Sequence, residues 1–237
     1  MGKTVCIIQA RMGSTRLPGK VLKPIMGRAA IDLQNERISR SVLLDEIVYA
    51  TSTLEKDDVL AKHLADAGHA VCRGSETDVL ARYAQAAEEH EADTIVRVTG
   101  DCPLIDPALV DILIERFRET GADYCSNVIP PSYPHGMDAE VFSRQALDTA
   151  HARATLDRDR EHVTQFLIRE PEFTRESVMA EDDFTGLRVT LDEAVDLDAI
   201  RMVCDLFGGR TDMGWREIAD RVSQENIVLP NAHLSRP

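Results

Sequence analysis

A dozen residues near the amino terminus, Gln9-Ala10-Arg11-Met12-Gly13-Ser14-Thr15-Arg16-Leu17-Pro18-Gly19-Lys20, place three cations, hydroxyls and two glycines directly after a short apolar run. Backbone N–H groups of such a loop form an anion-binding concavity, and Arg and Lys neutralise phosphate charge there. The cluster stands out because the whole chain of 237 residues carries a net charge of −14. That balance speaks against nucleic acid or an anionic membrane as the main partner, yet it allows a local basic pocket for a small anion. The loop is not a Walker loop: five residues rather than four separate Gly13 from Gly19, and Val21 follows Lys20 where Ser or Thr is required. The G-x-G-x-x-G spacing of a dinucleotide site is also absent.

Two acids complete the chemical inventory. Asp101 and Asp192 each stand at the end of a predicted strand. Two carboxylates, joined by phosphate oxygens and waters, suit Mg²⁺. Taken singly, Asp101 equally suits a turn before Pro103 and Asp192 a helix cap, while Asp196 and Asp198 read as early-helix acids favoured by the macrodipole.

The elements that must position these groups alternate. Short apolar runs at 5–9, 47–51, 70–73 and 94–99 predict strands, and 57–67 predicts a helix. Ser75-Glu76-Thr77-Asp78 resembles a capping-box helix start, and Asp106-Pro107 supplies an N-cap and a first-turn proline for a helix that Gly121 stops. Such alternation requires crossovers, hence an α/β fold with a Rossmann-like, doubly wound, mostly parallel sheet. Ligands in such folds bind at the carboxyl ends of the strands, which puts 10–20, Arg73-Gly74 and Gly100-Asp101 on one rim. The alternation breaks at 128–134, and about 129–183 reads as a smaller lobe inserted within a single domain spanning 1–237. A strand at 189–191 ending in Asp192, a helix through Phe207 and a last helix from about Asp212 follow. The 43% hydrophobic content supports a full core. Five scattered cysteines without C-x-x-C spacing suit buried apolar residues of a reducing cytosol, and no run approaches the ~20 apolar residues of a membrane span. A cytoplasmic protein is expected.

Arg-x-x-Ser-x-Arg-Leu-Pro-Gly-Lys after an N-terminal strand resembles the signature of the sugar cytidylyltransferases, which include the acylneuraminate and 3-deoxy-manno-octulosonate enzymes. Of these, the spore coat polysaccharide biosynthesis protein F branch is the most similar. Further motifs occur in the family's order: Arg73-Gly74-Ser75, Val98-Thr99-Gly100-Asp101-Cys102-Pro103, His135-Gly136-Met137-Asp138-Ala139-Glu140, Arg160-Glu161-His162-Val163-Thr164 and Val189-Thr190-Leu191-Asp192. The resemblance implies transfer of CMP from CTP to a sugar, in particular an acidic one, with release of pyrophosphate, for surface polysaccharide or glycoconjugate synthesis. It implies Mg²⁺ at Asp101 and Asp192, a nucleotide-diphospho-sugar-transferase type of fold and a homodimer formed with the smaller lobe. Arg11, Ser14, Arg16 and Lys20 would hold the triphosphate, with Gly100 close by, and Ala10 backbone and Arg73 would contact the cytidine. Arg11, Lys20 and Asp101 would be the catalytic groups. His135, Asp138, Glu140, His162 and Phe166 would line the acceptor site. The loop is expected to be exposed, so that Lys20→Ala should lose turnover with little effect on stability. Two other readings are a GT-A type glycosyltransferase, which the free-triphosphate character of the loop and the lack of a D-x-D motif disfavour, and a non-catalytic nucleotide-binding module.

Overall fold

The computed structural model describes residues 2–234. In chain order the first half contains β1 (Thr4–Gln9), a small hairpin of β2 (Pro24–Ile25) and β3 (Arg28–Ala29), α1 (Ala30–Ile38), β4 (Glu46–Ser52), α2 (Asp58–Asp66) and β5 (Ala70–Gly74). Next come α3 (Val79–Glu89), β6 (Thr94–Thr99), α4 (Pro107–Thr120), β7 (Tyr124–Ser126) and β8 (Glu140–Ser143). Helices α5 (Arg144–Arg153), α6 (Asp157–His162) and α7 (Gln165–Arg169), strand β9 (Arg175–Ser177), and helices α8 (Ala194–Leu206) and α9 (Trp215–Gln224) complete the chain.

Seven strands form one sheet in the order β5-β4-β1-β6-β8-β7-β9. Strands β5, β4, β1 and β6 are parallel, and β8 enters antiparallel to both β6 and β7. Because β1 pairs on both sides and is covered on both faces, it reads as an unbroken apolar run. Its side chains divide by the two-residue period of a strand. Val5 and Ile7 pack with Leu80, Tyr83, Leu147 and Phe166 of α3, α5 and α7, whereas Cys6 and Ile8 pack with Ile31, Leu60, Leu64, Val110 and Leu113 of α1, α2 and α4. All five cysteines are buried and unbridged. A third apolar cluster joins α8 and α9 to Leu33, Val189 and Leu191. Residues 129–183 carry β8, α5, α6, α7 and β9, and both strands hydrogen-bond into the same sheet.

Strands at 4–9, 46–52, 70–74 and 94–99 agree with the periodicity of the sequence. The α4 start does as well: the Asp106 carboxylate accepts Ala108 N–H at 2.8 Å, while its other oxygen accepts Trp215 N–H at 2.7 Å and so anchors α9. Two local expectations are corrected. Residues 189–191 form no strand; they are held instead by Val189 N–H to the His135 carbonyl and Leu191 N–H to the Asp101 carbonyl, both at 2.8 Å. The α3 cap is Asp78, which accepts Ala81 N–H at 2.9 Å, and Ser75 Oγ in turn accepts Asp78 N–H. Asp196 is an early-helix acid as expected, at the N3 position of the α8 capping box, and it is also fully buried and carries an ionic network described below.

Candidate active site

Strands β1 and β6 end side by side, and Gly100 N–H donates to the Gln9 carbonyl at 2.8 Å. The chain leaving β1 folds into the cationic loop. Met12 N–H donates to the buried Asp57 carboxylate at 2.6 Å, Gly19 N–H returns to the Met12 carbonyl at 3.1 Å, and Ser14 Oγ accepts Leu17 N–H at 3.3 Å. The loop thus closes on itself and borders a cavity of about 410 Å³, lined by Ala10, Arg11, Ser14, Arg16, Lys20, Gly100, Asp101, His162 and Asp192 among others.

At one wall of this cavity Lys20 Nζ lies 2.7 Å from Asp101 Oδ2 and 2.8 Å from Asp192 Oδ1. Its side chain is only 14% exposed, which corrects the expectation of an exposed lysine. Burial alone would lower its pKa, but the two carboxylates outweigh it and hold Lys20 charged. Burial likewise opposes ionisation of Asp101, yet Lys20 and the Thr99 hydroxyl bring its pKa below the ordinary value. Asp192 is brought to Asp101 by backbone: the Asp101 carbonyl accepts Leu191 N–H and, at 3.2 Å, the Thr190 hydroxyl. Gly136 permits this approach. A Cβ at that position would lie 2.6 Å from Thr190 N, and its φ of 109° is one that side-chain-bearing residues rarely adopt.

Behind Asp192 stands Arg188. Its guanidinium holds both oxygens of Asp196 at 2.8 and 2.9 Å, reaches Asp192 Oδ2 at 3.2 Å and donates to His135 Nδ1 at 2.9 Å. Asp196 also receives Asn231 Nδ2 at 2.7 Å and the N–H groups of Asp192 and Glu193 at 2.9 Å. Burial opposes this charge, but those donors prevail and lower the Asp196 pKa to about 2. The cleft therefore offers fixed cations along a closed loop and two adjacent carboxylates, an arrangement suited to a polyphosphate and its counter-ion.

Comparison with known proteins identifies the family. Residues 5–213 match the family model described as cytidylyltransferase. The chain belongs to the cytidylyltransferase family. It is 35% identical over 226 residues to the spore coat polysaccharide biosynthesis protein SpsF of Bacillus subtilis, covering 92% of this chain and 93% of that protein. A solved cytidylyltransferase from Leptospira borgpetersenii superposes with a TM-score of 0.92 at 28% identity, covering 98% of each chain. The structure of a CMP:2-keto-3-deoxy-manno-octonic acid synthetase complexed with CTP shares the fold, with a TM-score of 0.67 at 19% identity over 86% of this chain and 98% of that one.

In this cytidylyltransferase a second cavity of about 310 Å³ adjoins the first and shares Thr99 and His162 with it. Asp138, Glu140 and Thr164 line it as well. His162 ends α6 and is exposed; the next residue, Val163, is buried at φ 59° and ψ −61°, and Thr164 N–H closes onto the His162 carbonyl at 2.6 Å. This is a γ-turn of the strained hand, and it lets His162 and Thr164 both border the cavity while Val163 enters the core. The Glu140 carboxylate is fully engaged by Arg97, Tyr124 Oη at 2.6 Å and Thr164 Oγ1 at 2.7 Å. His135 accepts from Arg188 at Nδ1, which leaves its proton on Nε2, 3.7 Å from Asp138.

Three of the expected site residues of the cytidylyltransferase, His135, Phe166 and Arg73, lie outside the lining of both cavities. Phe166 is buried in the α3–α5–α7 core, edge-on to Phe173. The Arg73 guanidinium is bound to the carbonyls of Ser52 and Leu54 and to Asp58 at 2.6 Å, outside the lining of the cavity. Three residues that the sequence did not single out have clear parts. Gln34 Nε2 donates to the carbonyls of Thr99 and Cys102 at 2.8 and 3.0 Å, holding the turn that presents Asp101. Arg188 orients Asp192, and Arg82 borders the first cavity. Only the Gly136 motif gave any signal for the Arg188 network, and nothing in the spacing marked Gln34.

Proposed function

We propose that this cytidylyltransferase transfers CMP from CTP to a sugar hydroxyl, in particular that of an acidic sugar, in a Mg²⁺-dependent reaction. The observation that carries the reading is the Lys20 ammonium held between Asp101 and Asp192 at the wall of a cavity bounded by the cationic loop. Among the described residues no three His, Cys, Asp or Glu side chains gather as a metal cluster. A Mg²⁺ ion that bridges phosphates needs only one or two protein carboxylates and completes its shell with phosphate oxygens and water, so Asp101 and Asp192 fit it. When bound, the ion neutralises phosphate charge and polarises the α-phosphoryl group.

The acceptor hydroxyl oxygen attacks the α-phosphorus, a new P–O bond forms, the α–β bridge bond breaks, and pyrophosphate and a proton leave. Arg11 and Arg16 meet the triphosphate from the loop, and Lys20, held in place by Asp101 and Asp192, supplies a fixed cation for the charge that grows on the bridging oxygen. His162 and Asp138 border the space from which the acceptor approaches, and the shared wall between the two cavities supports an in-line arrival. Similarity to SpsF supports a role in surface polysaccharide synthesis. The resemblance to the family supports a homodimer through the 129–183 region. Buried free thiols support a cytoplasmic location, and among the described residues no helix is long and apolar enough to cross a membrane.

The test is pyrophosphate release from CTP with a panel of acidic and neutral sugars, with Mg²⁺ or with EDTA. Release that requires CTP, an acidic sugar and Mg²⁺ is expected. Equal release with UTP or ATP overturns the base assignment, and release undiminished by EDTA overturns the metal assignment.

A further inference from the structure

Arg82 projects from α3 into the wall of the nucleotide cavity. The residue is 2% exposed, its Nη1 donates to the Ser75 carbonyl at 2.6 Å, and its Nε is buried with no hydrogen-bond partner among the described residues. Most buried guanidinium groups are neutralised by a carboxylate or saturated by acceptors, since an unsatisfied buried charge is expensive. Here burial pushes the pKa of Arg82 down, and the nearby Arg11 pushes in the same direction. A planar fork with unused donors on a cavity wall calls for a ligand with two adjacent acceptors.

Its place in the fold decides which part of a nucleotide that is. A Cβ on Gly74, the last residue of β5, would lie 3.2 Å from Arg82 Cγ, so the stem of Arg82 rests over the end of β5. Asp101 follows β6, and β4 and β1 lie between β5 and β6. Three strand spacings put these ends about 14 Å apart. Arg82 thus reaches the cavity from its β5 end, three strands along the sheet from the end that carries Asp101. The apolar side chains of the lining are Val79 on its own helix, Ala10 just after β1, and Val21. A dry guanidinium beside apolar side chains suits a heteroaromatic ring with in-plane acceptors better than a hydrated phosphate.

We infer that Arg82 reads the nucleobase, donating to the adjacent O2 and N3 acceptors of cytosine. This rests on the nucleotide reading above and gives Arg82 the part that the sequence suggested for Arg73. Uracil carries a proton on N3, so one donor of the fork would face another donor. A site built to donate rejects the analogue that cannot accept. The expected discrimination is about 10- to 100-fold, that of one good bidentate base contact.

The test is calorimetric titration of the full chain and of Arg82→Lys with CTP, UTP, 3-deaza-CTP, which lacks the N3 acceptor, and inorganic tripolyphosphate. The unmodified protein should prefer CTP over both UTP and 3-deaza-CTP by that factor. Arg82→Lys keeps the charge but loses the planar fork, so the three nucleotides should converge while tripolyphosphate affinity stays unchanged. Equal binding of CTP and 3-deaza-CTP by the unmodified protein overturns the inference without any variant. A parallel loss of CTP and tripolyphosphate affinity in Arg82→Lys overturns it in favour of a phosphate contact, and undiminished discrimination in that variant overturns it outright. Failure of the unmodified protein to bind CTP or tripolyphosphate at all would instead remove the nucleotide reading on which it rests.

Discussion

Replacing Lys20 by methionine removes one charge and keeps most of the side-chain volume. Because a single ammonium touches both carboxylates at 2.7 and 2.8 Å, the facing oxygens of Asp101 and Asp192 are at most about 5.5 Å apart. Two unit charges at that separation repel by about 3 kcal/mol at an effective dielectric constant near 20 and by less than about 1 kcal/mol in bulk water. The carboxylates are 24% and 15% exposed, so the buried-site value is closer, with some relief from water. Loss of the ion pairs adds to this, and a net destabilisation of about 2–3 kcal/mol is expected. In a chain of this size that corresponds to a fall in Tm of about 5–10 °C. Turnover should drop by about 10²–10³-fold, as when one fixed donor to a transition-state oxygen is removed. The decisive assay is a double-mutant cycle in urea. Adding Asp192→Asn to Lys20→Met removes the repulsion, so the double variant should be more stable than Lys20→Met alone by about 1–2 kcal/mol. Additive losses from the two substitutions would refute the reasoning, because they would mean that the carboxylates do not feel each other across the vacated position.

Three further outcomes follow from the same network. The depressed Asp196 pKa, about 2, represents stability that is present above its ordinary value near 3.8 and is lost as pH falls toward 2. Asp196→Asn should therefore cost about 2 kcal/mol at neutral pH, with the gap to the unmodified protein closing between pH 4 and pH 2 in denaturation curves; a gap independent of pH would refute the assignment. Gly136→Ala must displace Thr190 from 2.6 Å and strain a φ of 109°, so it should lower stability by about 2–4 kcal/mol and depress turnover by separating Asp192 from Asp101, both measurable by thermal melting and initial rates. Gln34→Leu fills the same space but leaves the carbonyls of Thr99 and Cys102 without a donor, with an expected cost of about 1–3 kcal/mol; kcat should fall more than KM for CTP rises, and an unchanged kcat would show that the Asp101 turn holds without it.

The parallel half of the sheet was legible because its signals are local. Strand β1 is apolar on both faces, β6 stops at Gly100, and Asp106-Pro107 announces α4 within two residues. The small hairpin and α1 were not legible. The hairpin turns through Met26 and Gly27, both at positive φ, without the Asn-Gly or Asp-Gly pair that usually marks such a turn. The core-facing side of α1 includes the buried polar residues Gln34 and Arg37, so its apolar periodicity is broken. Arg37 is satisfied by the carbonyls of Ile105, Thr211 and Met213, contacts that no local pattern can announce.

The chemistry divides along the same line. The sequence by itself determined the composition of the cationic loop, the presence of Asp101 at the end of a strand, and the family, since each is carried by short runs of residues adjacent in the chain. Only the tertiary structure decided that Lys20 lies inside an ion cluster rather than in solvent, that Asp192 meets Asp101 through Gly136 and Leu191 rather than at a strand end, and that Arg73 is bound elsewhere while Arg82 borders the cavity beside the cationic loop. The physical reason is that the charge state and direction of a side chain depend on its partners, and here those partners are separated by up to 172 positions in the chain.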